Sequence, residues 1–210
     1  MDNPDVSSVI KRVFKRYYKE LWDLIVPSIV WLGLFMTIIL SGPAMVGLYY
    51  FIESDYKKRK IDLIFKGAFE DFGFGIKLGL IHILLIFLMI ISFVFIRSGD
   101  TKFLSSVIFF TSLYLWLFFS FIGFYIIPLR FEKKLEFREA LSVSFFLSFK
   151  YFKYTLGLFV QLICLIFLSV LSVVGFFVFF PSLSLMLMSE GFYELMEIEE
   201  AKMNVYRDGK

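Results

Sequence analysis

The charged residues of this chain fall in blocks, and between the blocks lie four stretches with none, at 24–52, 78–96, 103–129 and 154–189. Their lengths are 29, 19, 27 and 36 residues. A helix rising 1.5 Å per residue needs about 20 apolar residues to cross a hydrocarbon layer about 30 Å thick. The second and third stretches each match one crossing. The first is long for one and short for two, and the last is nearly two, so length alone leaves four to six crossings open. A water-soluble domain is excluded on composition: 59% of the residues are hydrophobic and 30 of 210 are Phe, against about 45–50% apolar in soluble domains. The expected class is an all-α, polytopic helical bundle in a lipid bilayer.

Charge asymmetry narrows the crossing number, because short loops rich in Lys and Arg stay cytoplasmic. One basic block, Lys11, Arg12, Lys15, Arg16 and Lys19, precedes the first stretch, and another, Lys57, Lys58, Arg59, Lys60, Lys66 and Lys77, follows it. Both stay inside only if the stretch between them goes out and returns. Gly42 and Pro43 supply the break: Pro has no N–H and disrupts a helix interior, while Gly tolerates the turn. The expected arms are 24–41 and 43–56. The second is only about 21 Å long at 1.5 Å per residue, which calls for a locally thinned bilayer. The next pair is 78–96 and 103–129. A third basic block between 130 and 153 precedes the last pair, 154–171 and 177–195, turning near Gly175 with Pro181 in the returning arm. Of the 22 basic residues, only Arg97 and Lys102 then lie outside. Six spans in the cell membrane, with both termini cytoplasmic, follow. The alternative, in which Pro43 and Pro181 merely kink long tilted helices, gives four. The apolar run after the first basic block is too long for a signal peptide and lacks a small-residue cleavage site.

Each pair is preceded by a charged segment with helical periodicity, expected to lie flat on the cytoplasmic leaflet. In 8–21 the apolar face is Ile10, Val13, Phe14, Tyr17 and Leu21; in 61–73 it is Ile61, Phe65, Phe69 and Phe72; in 135–150 it is Phe137, Leu141, Phe145 and Phe149. The chain thus reads as three units of surface helix followed by hairpin. Lys77-Leu78-Gly79-Leu80 and Thr155-Leu156-Gly157-Leu158 hint at a repeat between the last two units.

Polar groups inside a bilayer are costly and default to functional candidates. Few exist here. His82 and Gln161 lie at similar depth, and the two side chains are candidate polar contacts for a solute, against the simpler reading of interhelical hydrogen bonding. Glu190 and Glu194, one turn apart, offer a paired carboxylate to a cation or basic partner, against plain solvation at the interface. Gly75 and Gly79 form a G-x-x-x-G packing motif at a membrane entry. Cys164 reads as a small buried hydrophobe. One Cys and one His exclude disulfides and thiolate or histidine-cluster metal sites within the chain. No nucleophile elbow, P-loop or H-E-x-x-H is present, and Gly73-Phe74-Gly75 lacks the third glycine of a dinucleotide site. The basic blocks sit at membrane boundaries, so topology explains them without nucleic acid. No catalytic residue, cofactor or metal is expected.

Several segments look familiar together. Ser41-Gly42-Pro43-Ala44-Met45-Val46-Gly47-Leu48-Tyr49-Tyr50 resembles the turn and small-residue helix of the YesL-like family (domain of unknown function 624). Tyr125-Ile126-Ile127-Pro128-Leu129-Arg130-Phe131-Glu132, leading into Phe137-Arg138-Glu139-Ala140-Leu141, is similar to that family's aromatic-Pro-Leu segment, and Phe179-Phe180-Pro181-Ser182-Leu183 to its last hairpin. Leu40 stands where that pattern has Thr. The resemblance implies a small bacterial integral membrane protein without established catalytic residues, accessory to carbohydrate uptake. The expected function is therefore non-enzymatic, with the bilayer and a membrane protein such as a sugar-transport permease as partners. The alternative is a small channel or carrier for an apolar or zwitterionic solute.

Overall fold

The structure, a computed structural model, describes residues 4–55, 59–98, 102–170 and 179–208. Among them every regular element is helical. Helix α1 spans Val6–Phe35 and opens on Asp5, whose carboxylate accepts from the Ser7 and Ser8 N–H groups at 3.0 and 3.2 Å, satisfying two donors with no intrahelical partner. The expected separation of a surface helix at 8–21 from an arm at 24–41 is absent. Val9, Val13, Tyr17, Glu20, Leu24, Pro27, Ser28 and Trp31 are all buried, so one stripe at three- and four-residue spacing docks along the whole helix. Pro27 is carried inside it without a break.

The first turn lies at 36–40, ahead of Gly42-Pro43. Ile38 adopts a left-handed φ of 58°, and the N–H groups of Thr37, Ile38 and Ser41 donate to the carbonyls of Leu34, Phe35 and Ile38. Helix α2, Ser41–Glu53, therefore holds Gly42 and Pro43 in its first turn, where a missing N–H leaves no bond unmade. Nine of its residues, from Gly42 to Ile52, are buried. A helix apolar on all sides belongs at the centre of a fold, and α2 touches α1 on one side and the later helices on the others.

Helix α3, Asp62–Glu70, and α4, Phe72–Ser98, meet at Asp71, dividing the surface helix expected at 61–73. The Gly75 N–H donates to the Asp71 carbonyl at 2.9 Å, so α4 is closed a turn before the charge-free stretch begins at Leu78. The arm expected at 103–129 is likewise interrupted: α5 spans Lys102–Ile122, a 3₁₀ turn spans Gly123–Tyr125, and α6 spans Ile126–Lys133. The interruption places Pro128 in the first turn of α6 rather than in a helix interior, where it would break a hydrogen bond. Helix α7, Phe137–Lys150, starts with reciprocal Glu136 and Glu139 capping. Helix α8 spans Phe152–Val170. Helix α9 spans Phe180–Asp208, with Pro181 in its first turn, and continues well past the end expected at 195. Gly175 lies outside the described residues.

Helices α4 and α5 run antiparallel, with Phe93 near Phe109 at one level and His82 near Phe119 at another. Ser92, Ser105 and Ser112 are buried; such small residues let helix backbones approach closely in lipid. Three described segments are long and apolar enough to cross a membrane: Phe72–Arg97, Lys102–Lys133 and Phe152–Ser169.

Candidate functional site

The sequence-predicted residues separate into a glycine seam, an apolar cavity and a charged layer. The seam joins α2 to α4. A Cβ on Gly42 would lie 1.9 Å from the Gly75 carbonyl oxygen and 2.8 Å from the Gly79 nitrogen. One on Gly75 would lie 2.7 Å from Pro43 Cα. Real Cβ atoms do not tolerate such distances, so these three glycines are required by backbone contact rather than by φ. The seam also fixes where α2 lies along α4. Gly42 follows the turn at 36–40 directly, and its partner Gly79 lies near the start of α4, which runs on from Leu80 to Ser98. Those 19 further residues reach about 28 Å past the contact at 1.5 Å each.

His82 stands one turn beyond the seam and Gln161 stands on α8, but the structure does not bring them together. The His82 Nδ1 lies 3.0 Å from the Leu78 carbonyl oxygen of its own helix, and its ring meets Phe119 edge-on at 5.3 Å. Gln161 is half-buried and pairs with nothing among the described residues. His82 instead lines a cavity of about 180 Å³ between α2, α4, α5, α6, α8 and α9. Its walls are mainly aliphatic and aromatic, with Trp116, Ser120 and Ser184 as the other polar residues and no charged side chain. The Trp116 Nε1–H is buried with no hydrogen-bond partner. Sequence reasoning passed over Trp116. Its signal was an indole in an apolar run with a donor to place. Cys164 is exposed on the outside of α8, which corrects the expectation of a buried residue: its position on the helix faces away from the bundle.

The charged layer closes one end of the bundle. Glu190 and Glu194 are not open to a cation, because Arg12 pairs with both and Arg16 reaches Glu190 at 3.1 Å. Arg16 also pairs with Glu53 at 3.1 Å and donates to the Ile52 carbonyl at 2.8 Å. Burial opposes the Arg16 charge, but Glu53, Glu20 and Glu190 outweigh it and raise its pKa; for Arg12, Glu194 and Glu190 outweigh burial in the same way. Arg59 pairs with Glu20 at 2.7 Å and donates to the same Ile52 carbonyl at 2.7 Å. Two guanidinium groups thus sit on the C-terminal carbonyls of α2, where the helix dipole favours positive charge. Beside them, Arg130 donates from Nε to Asp71 at 2.8 Å, and Tyr50 donates to the other oxygen of Asp71 at 3.0 Å. The pairing was invisible in sequence, since Arg12 and Glu194 lie 182 positions apart.

Among the described residues no group of three or more His, Cys, Asp or Glu could hold a metal ion. Compared with family models, curated proteins and solved structures, the chain matches none.

Proposed function

We propose that this chain is a non-enzymatic integral protein of the bacterial cytoplasmic membrane, with both termini in the cytoplasm, that packs against a second membrane protein such as a sugar-transport permease. The observation that supports the topology is the charged layer: Arg12 and Arg16 of α1, the C-terminal end of α2, Asp71 ahead of α4, Arg130 of α6 and Glu190 and Glu194 of α9 meet there, so Arg12, Arg16, Arg59 and Arg130, from three basic blocks, lie at one end of the bundle, as retention on one side requires. Helices α4, α5 and α8 cross, and the chain returns between Val170 and Glu190, because Glu190 and Glu194 pair with Arg16 and Arg12.

In place of six full spans, this reading has four crossings and a first hairpin that enters from the cytoplasmic side and turns within the bilayer. The turn at 36–40 is level with the entry of α4, and its internally bonded backbone and exposed Met36, Ile38 and Ile39 suit hydrocarbon. Both basic blocks remain inside either way.

Beyond the seam the outward faces of α4 and α5 carry Leu84, Phe87, Ile90, Phe103 and Phe110, all exposed, a surface for lipid and for a partner helix. The carbohydrate-uptake assignment rests on the resemblance of 41–50, 125–141 and 179–183 to the YesL-like family. The test is co-purification in mild detergent together with sugar uptake after deletion. Co-elution with a permease and reduced uptake support the reading; a chain that elutes alone, with uptake unchanged, overturns it.

A further inference from the structure

A cleft of about 440 Å³ opens between the junction of α3 with α4 and the start of α7. Six charged side chains border it, three of each sign. The acids are already committed. Arg130 and Tyr50 take the two oxygens of Asp71, the Glu136 side chain accepts from the backbone N–H of Glu139, and Glu70 pairs with Lys66 at 3.6 Å. Arg130 is committed as well, to Asp71 and to the Lys134 and Leu135 carbonyls at 3.2 and 3.1 Å. Lys77 and Arg138 remain. Both are exposed, and neither pairs with another described residue.

Packing holds these two cations near each other. The Phe74 and Phe137 rings meet edge-on at 5.5 Å, and the Arg130 guanidinium lies 5.7 Å from the centre of the Phe74 ring, which ties the start of α4 to the start of α7. Lys77 stands one turn past Phe74, where residues i and i+3 are neighbours on a helix surface, and Arg138 follows Phe137 directly. Both positions border the one cleft. An oxyanion between them would meet two charge-assisted donors. Gly73, also on the cleft, leaves room for it, since an added Cβ there would touch nothing within 4 Å.

Lys77 is also the last charge before the charge-free stretch at 78–96. Leu80, Leu84, Phe87 and Ile91 continue its face of α4 at three- and four-residue steps, and all four are exposed. That apolar stripe reaches about 21 Å from Lys77 to Ile91 at 1.5 Å per residue, beyond the roughly 15 Å of hydrocarbon in one leaflet. A soluble anion would leave the stripe unused. We infer that cleft and stripe together bind one anionic phospholipid of the cytoplasmic leaflet, its phosphate between Lys77 and Arg138 and its acyl chains along α4. Basic pockets at the cytoplasmic ends of spanning helices recognise anionic headgroups in this way, and two uncommitted cations disfavour a headgroup that brings an ammonium of its own. The site rests on the bilayer reading above but on no protein partner.

The test uses the full chain in mild detergent, with native mass spectrometry counting bound lipid while phosphatidylglycerol or phosphatidylcholine is added. The expected preference for phosphatidylglycerol is about 30-fold, the scale set by two basic residues at an anionic surface. Lys77→Gln and Arg138→Gln each lower it about fivefold, and the two together abolish it. Lys15→Gln with Lys19→Gln removes the same charge from exposed positions on α1 and leaves the preference unchanged; an equal loss in that pair would mean diffuse attraction by net charge and overturns the site. Glycerol 3-phosphate, which offers the phosphate without the chains, is expected not to displace the lipid. Displacement would mean a site for a soluble anion and overturns the lipid assignment. Equal binding of the two lipids to the unaltered chain overturns the proposal without any variant having to fold. None of these readings involves a permease or sugar uptake, so the lipid site and the proposed partnership fail separately.

Discussion

Gly42 and Gly75 touch so closely that a β-carbon on the first would fall 1.9 Å from the carbonyl oxygen of the second. This contact fixes where the start of α2 lies along the first turns of α4.

Gly42→Ala therefore forces α2 away from α4. The expected loss is about 2 kcal/mol, within the range for overpacked cores, read as an earlier thermal aggregation onset of the detergent-solubilised protein. Gly73→Ala is the internal comparison. Nothing lies within 4 Å of its added Cβ, and replacing a helical Gly by Ala gains roughly 0.5–1 kcal/mol. A Gly42→Ala protein as stable as Gly73→Ala would remove the seam from the account.

Arg16 pairs with Glu53, whose side chain is only 6% exposed. Arg16→Met leaves that carboxylate uncompensated, and removing one partner of a buried pair costs about 3 kcal/mol or more. The double replacement Arg16→Met with Glu53→Met is expected to recover most of the loss. Urea or thermal denaturation of the two variants, compared in one detergent, measures the coupling, and a double variant worse than the single one contradicts it.

The Ser28 and Ser182 hydroxyls meet at 2.8 Å between α1 and α9. Ser28→Ala strands its partner, at about 1 kcal/mol. A double-mutant cycle with Ser182→Ala should return a coupling near 0.6 kcal/mol, the average for such bonds within membranes. Zero coupling would mean that water or another group takes the place of the lost partner.

Single cysteines in a Cys164→Ala background read the topology. In intact cells a membrane-impermeant maleimide is expected to label Lys102→Cys, between the first two crossings, and to leave Thr37→Cys and Asp55→Cys unlabelled. Labelling at Thr37 alone among the last two would mean that the first hairpin passes right through, as six spans require. Labelling at Asp55 would reverse the orientation of the charged layer.

Hydropathy and charge, read along the chain, were enough to establish an all-helical protein with long apolar segments. They do so because the cost of an unpaired backbone in lipid and the retention of cations inside act on each segment separately. They also marked Gly42, Pro43, Gly75, Gly79 and His82 as unusual, since small residues and a titratable ring stand out in an apolar run. Tertiary packing alone decided what those residues do. Segment length measures how far a helix can reach, while depth depends on what it leans against, and the Gly42 contact with Gly75 and Gly79 holds the first turn beside the start of α4. In the same way His82 and Gln161 stand about equally far into α4 and α8 but face different neighbours, and Glu190 and Glu194 are closed to cations by arginines from the far end of the chain. Those outcomes depend on which helix faces meet in space, and a one-dimensional pattern does not contain that information.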